Sequence, residues 1–144
     1  MKVHLRLRYE MNRQFRSDSG ISLSDYDILV ALISDPEGAL TMTALATRIG
    51  WERSRVSHHA RRMEGRGLVG VTTSADDKRA STVSLTESGR TALSAASPGH
   101  AEFIRTVFLG ALEPSGLTQL AESMELIYEQ LLQHGTLPRP EDHP

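Results

Sequence analysis

The chain has 144 residues, 39% hydrophobic and 24% charged, which is the composition of an ordinary globular protein and length enough for one domain around a real core. No window approaches the roughly 20 continuous apolar residues of a membrane span. The opening MKVHLRLRYEMN lacks the apolar run of a signal peptide, so a cytoplasmic location is expected. Cysteine is absent, which excludes disulfides, thiolate metal sites and thiol redox sensing from this chain.

In chain order, Lys2 to Arg16 places Leu7, Met11 and Phe15 at intervals of four among arginines, the pattern of an amphipathic helix. Ser24, with Asp27 three residues on, is the expected N-cap of a second helix carrying Tyr26, Leu29, Val30, Leu32 and Ile33, closed by Pro36 and Gly38. Thr41 caps a short helix from Met42 to Ile49, and Gly50 is its turn. Trp51, beside that turn, is assigned to packing between helices. A further helix is predicted from Arg53 to Arg66, with Val56, Ala60 and Met63 on one side and Ser54, Arg55, His58, Arg61 and Arg62 on the other. Glu52 is a poor cap for it, and Gly65 costs about 1 kcal/mol inside a helix.

Gly67 suits a left-handed helix end, and two alternating segments, Leu68 to Thr73 and Ser81 to Leu85, read as a hairpin joined by the long loop Ser74 to Ala80. Thr86 caps a helix expected to carry a kink or a short break at Pro98-Gly99, after which Phe103, Ile104, Val107, Phe108 and Leu112 resume an apolar face. Pro114 opens the last helix, where Leu117, Leu120, Met124, Ile127 and Leu131 form a three-four seam of the kind that packs on another helix. The tail from Gly135 to Pro144 reads as loose.

Charge is distributed unevenly behind a net value of −2. Arg48, Arg53, Arg55, Arg61, Arg62 and Arg66 face only Glu52 and Glu64, a local +4, whereas Glu113 to the end carries six acids against Arg139, a local −5. One region suits an anion and the other repels it. Two short helices around a glycine turn, the second with a basic outward face, form the unit whose recognition helix enters the DNA major groove. Arginine can donate bidentate bonds to guanine, and serine and histidine can make short contacts to bases or phosphates. Arg55, His58 and Arg61 are therefore expected at the bases, Ser54 and Ser57 at the helix start, and Arg53, Arg62, Thr43 and Arg48 at phosphates.

A solvated helix face is the bland reading of this cluster, but such a face interleaves acids at i, i+4, and here the two glutamates stand at the helix ends. Adjacent His58 and His59 diverge by about 100° on a helix, so no metal site is assigned, and His59 is expected to be a packed, hydrogen-bonded residue. No nucleophile with a base, paired carboxylates or phosphate-cradling glycine loop is present, so the expectation is a non-enzyme without cofactor.

The text TALATRIGWERSRVSHHARRMEGRGLV, followed at the right distance by DDKRASTVSLTESGR, closely resembles the MarR family of bacterial transcription regulators over nearly the whole chain. The resemblance implies a mainly α fold with a small β-hairpin wing: a winged helix-turn-helix over about 24–86, flanked by dimerisation helices over about 2–17, 87–112 and 114–134, all within one domain. It implies that Asp77, Lys78 and Arg79 mark the wing tip, with Arg79 probing the minor groove, where narrow A·T stretches attract arginine. It also implies a homodimer on palindromic double-stranded DNA, acting as a repressor released by a small-molecule effector whose identity nothing in the sequence gives. The rival reading is a winged-helix protein-interaction module whose arginines meet an acidic partner.

Overall fold

A computed structural model describes residues 1–73 and 81–140. The described residues form six α-helices, α1 (Lys2–Asp18), α2 (Leu23–Ile33), α3 (Met42–Ile49), α4 (Arg53–Glu64), α5 (Glu87–Phe103) and α6 (Pro114–His134), and three strands, β1 (Ala39–Thr41), β2 (Val69–Thr73) and β3 (Ser81–Leu85), which pack against α2, α3 and α4. The strands form one antiparallel sheet in the order β1-β3-β2, with Leu40 and Val71 each paired to the buried Val83. β1 was not among the sequence expectations. It is three residues long, and only Leu40 turns inward.

The second helix starts two residues earlier than expected. Ser22, not Ser24, is its cap: its hydroxyl accepts from the Asp25 amide at 3.1 Å, and Asp25 Oδ2 accepts from the Ser22 amide at 2.8 Å. Both serines stand three residues before an aspartate, and the register that wins is the one that buries Leu23 and Asp25. Thr41 caps α3 as expected, accepting from the Ala44 amide at 3.1 Å, and Gly50 ends it with φ 67°. α4 stops at Glu64 with Gly65 as its cap, so Gly65 does not sit inside the helix as the longer predicted span required. Gly67 takes φ 73° before β2.

Of the kink or short break expected at Pro98-Gly99, the break is absent, and α5 runs through Pro98 to Phe103. Proline removes one amide from the helical ladder, while the Ser97 hydroxyl adds a bond to the Leu93 carbonyl at 2.8 Å. The irregularity comes later, as a π-helical turn over Ile104–Phe108.

The core draws Phe15 from α1, Ile28, Leu29 and Leu32 from α2, Leu45 from α3, Val56, Ala60 and Met63 from α4, Val83 from β3, and Leu93 and Ala96 from α5. α6 buries none of its residues, and its Met124, Leu126, Ile127 and Leu131 are 53–71% exposed. In the tail, Arg139 pairs with Glu129 at 2.9 Å, and Pro138 and Pro140 line a groove beside Thr43 and Thr47 of α3. Residues 141–144 lie outside the described residues.

Candidate nucleic-acid interface

α4 is held by its apolar side. Val56, Ala60 and Met63 are fully buried, so at about 100° per residue Ser54, His58 and Arg61 stand opposite, facing solvent. Arg53, Arg55 and Arg62 are also exposed, and Ser57 is half-buried. The whole predicted α4 set thus shares one helix, but not one face. Arg55, His59 and Arg62, with Arg66 just beyond the helix end, occupy the flank turned toward α2.

That flank is tied down by a carboxylate that sequence reasoning did not assign. Asp25, 2% exposed, lies with Oδ1 2.8 Å from His59 Nε2 and Oδ2 2.7 Å from Arg66 Nη1. Arg66 also donates to the Gly20 carbonyl at 3.2 Å. Burial alone pushes the Asp25 carboxyl up, but hydrogen bonds from His59, the Ser22 amide and Arg66, with the Arg66 charge, outweigh it and hold the group well below the usual carboxylate range. An ionised carboxylate only accepts, so His59 Nε2 carries the hydrogen. His59 is therefore the packed, hydrogen-bonded residue expected. Asp27 is different: burial raises its carboxyl, against the charges of Arg8, Arg55 and His59.

Trp51 packs at the α3–α4 turn, 9% exposed, with its amide donating to the Ala46 carbonyl at 3.0 Å. His59 meets its ring edge-on, centroids 5.8 Å apart at 87°. The Arg55 guanidinium lies over the same ring, 3.8 Å from its centroid.

Among the expected phosphate contacts, Thr43 is exposed on α3, while Arg48 is half-buried and donates to the Ala31 carbonyl at 3.0 Å. Arg62 lines a crevice of about 560 Å³ with Arg16, Asn12, Ser22 and Arg66. Asp77, Lys78 and Arg79 lie outside the described residues. The strands that lead to them, β2 and β3, are paired through Thr73 and Ser81. The arrangement offers a solvent-facing row of hydroxyl, imidazole and guanidinium donors on a rigid helix, which can meet an anionic, donor- and acceptor-bearing surface.

Residues 19–80 match the family model described as MarR family. No curated protein matches the chain. Among solved structures, the chain is similar to Sco3205, a MarR family transcriptional regulator from Streptomyces coelicolor in complex with DNA, with 32% identity, TM-score 0.84 and coverage of 95% of this chain and 89% of that one. It is similar to AbsC, a MarR family transcriptional regulator from the same organism, at 32% identity, TM-score 0.75 and 90% coverage of each chain. It shares its fold with CouR from Rhodococcus jostii RHA1 bound to p-coumaroyl-CoA, at 20% identity, TM-score 0.72 and coverage of 88% and 86%.

Proposed function

This chain belongs to the MarR family of DNA-binding transcriptional regulators, and from that premise we propose that it is a ligand-responsive repressor that binds a palindromic operator as a homodimer. The observation that carries the DNA reading is the outward face of α4, where Ser54, His58 and Arg61 are presented to solvent with Arg53, Arg55 and Arg62 around them. We assign Arg55, His58 and Arg61 to the major-groove bases, with Ser54 and Ser57 at the helix start. Thr43, Arg48, Arg53 and Arg62 are assigned to phosphates, and Arg79, with Asp77 and Lys78, to the minor groove. Sco3205 was solved in complex with DNA, which supports double-stranded DNA as the partner here.

The dimer is supported by the apolar surface that one chain leaves uncovered. Val3 and Leu5 of α1, Val107 after α5, and Met124, Leu126, Ile127 and Leu131 of α6 are all more than half exposed. Exposed apolar side chains on several helices of one chain are suited to pack on a second copy. α1, α5 and α6 are accordingly the dimerisation helices, and a two-fold pair would set two α4 helices about 34–36 Å apart on one side of the duplex. The winged helix and these helices act as one domain in the cytoplasm, without catalytic activity. CouR is bound to p-coumaroyl-CoA in its structure, which supports a small-molecule effector for this chain too.

Selection on random duplex DNA tests the reading. An enriched palindrome supports it, and recovery of no sequence at moderate salt overturns it in favour of an acidic protein partner.

A further inference from the structure

We propose that Trp51 is a positioning residue, whose ring holds the Arg55 guanidinium at the leading end of α4 ready for its contact with DNA. The proposal rests on Arg55 touching DNA, and it concerns what holds Arg55 there.

The stack is close, with the guanidinium carbon 3.8 Å from the ring centroid. Such a contact uses only the flat face of the guanidinium. Its five N–H donors lie in the plane, at the rim, so Arg55 can remain stacked while its edge donates to a guanine or a phosphate. A long, unbranched side chain loses rotamer freedom when it docks. Part of that loss has already occurred in an arginine held on a ring, which is the usual way that preorganisation raises affinity.

Trp51 is held at both its backbone and its ring. Gly50, at φ 67°, delivers Trp51 to the turn, and the Trp51 amide is bonded to Ala46. His59 packs its ring against the indole, and Asp25 holds His59 at 2.8 Å. Contacts thus run from the buried carboxylate of α2 through His59 and Trp51 to an exposed arginine of α4. A leucine at 51 would fill much of the same space, but it offers no π face to a cation.

The test is a double-mutant cycle on the selected operator. Binding of wild type, Trp51→Leu, Arg55→Ala and the double variant to labelled operator and to a scrambled duplex is measured by fluorescence anisotropy, with folding checked by circular dichroism. Arg55→Ala is expected to weaken operator binding by about 5- to 150-fold. Trp51→Leu is expected to weaken it about three- to tenfold in the wild-type background and not at all beside Arg55→Ala. Trp51→Phe, which keeps a ring, restores most of the affinity. Should Trp51→Leu fail to fold, the cycle is run with Trp51→Phe, whose weaker ring costs about twofold only while Arg55 is present.

Equal losses with and without Arg55 make Trp51 a packing residue and overturn the proposal alone. If Arg55→Ala leaves operator binding unchanged, Arg55 is no DNA contact, and both the assignment and the proposal fall.

Discussion

Arg66 and Asp25 stand 41 residues apart in the chain and meet with Nη1 2.7 Å from Oδ2, joining the end of the candidate recognition helix to the cap of α2. The Asp25 carboxyl is depressed in the folded protein, so its contribution to stability is fully present above the ordinary carboxylate value of about 3.9 and is lost as pH falls toward the folded value. Asp25→Asn is therefore expected to destabilise the fold by about 2–4 kcal/mol at pH 7, and the difference from wild type should shrink progressively below about pH 4. Urea unfolding at a series of pH values checks this. A difference that stays constant down to pH 2 would mean the carboxylate's charge does not matter.

The sorting of basic residues makes a salt-dependent prediction. Arg79→Ala should weaken operator binding and lower the slope of log affinity against log salt by about one unit, as should Arg53→Ala. His58→Ala and Arg61→Ala should instead relax base preference, by about 1–3 kcal/mol each, with little effect on a scrambled duplex. Titrations at several salt concentrations separate the two behaviours, and a uniform loss on all sequences would move His58 and Arg61 to the phosphate group.

Charge placed on the exposed α6 seam should break the proposed dimer. Ile127→Glu with Leu131→Glu, at positions 53% and 63% exposed in one chain, is expected to leave the winged helix folded. Sedimentation equilibrium should show monomers, and preference for the palindrome over a single half-site should disappear. A variant that remains dimeric would place the partner copy on another surface.

A close approach makes the last prediction. A Cβ on Gly89 would collide with the carbonyl oxygen of Leu68 and meet Leu85 Cδ1 at 2.9 Å, so Gly89→Ala should destabilise by about 1–3 kcal/mol. At Gly65 a Cβ meets only ordinary contacts at 3.7 Å, and Gly65→Ala should cost nothing measurable. Thermal unfolding of the two variants makes the comparison.

Elements with strong local signals were legible in the sequence. Thr41 before an apolar face, Gly50 at a turn, and Val56, Ala60 and Met63 at helical spacing each need only neighbours a few residues away, and each stands where expected. β1 was not legible, because three residues with a single inward side chain have no period; only its pairing with β3 makes it a strand. The cap of α2 was misplaced because Ser22 and Ser24 are locally equivalent, and the choice is made by His59 and Arg66, 34 and 41 residues away from Asp25. Pro98 was read as a kink or a short break because local sequence shows the lost amide and not the packing of α5 against α1 and α2 that accompanies the continuous helix. At the candidate site the residue types were readable, while the division of α4 into a solvent face and a flank held by Asp25 and Trp51 depends on what α2 and the turn bring to it.

Thr41 belongs to two elements at once. It is the last residue of β1, opposite Thr82 of β3, and its hydroxyl caps the first turn of α3. No spacer separates the strand that anchors the wing from the helix that begins the helix-turn-helix, so the sheet cannot tilt without carrying the start of α3 with it. If the chain is the dimeric repressor proposed above, the two probes of adjacent grooves would travel as a single caliper of preset opening, and an effector would change the distance between calipers while leaving each caliper's own gap untouched.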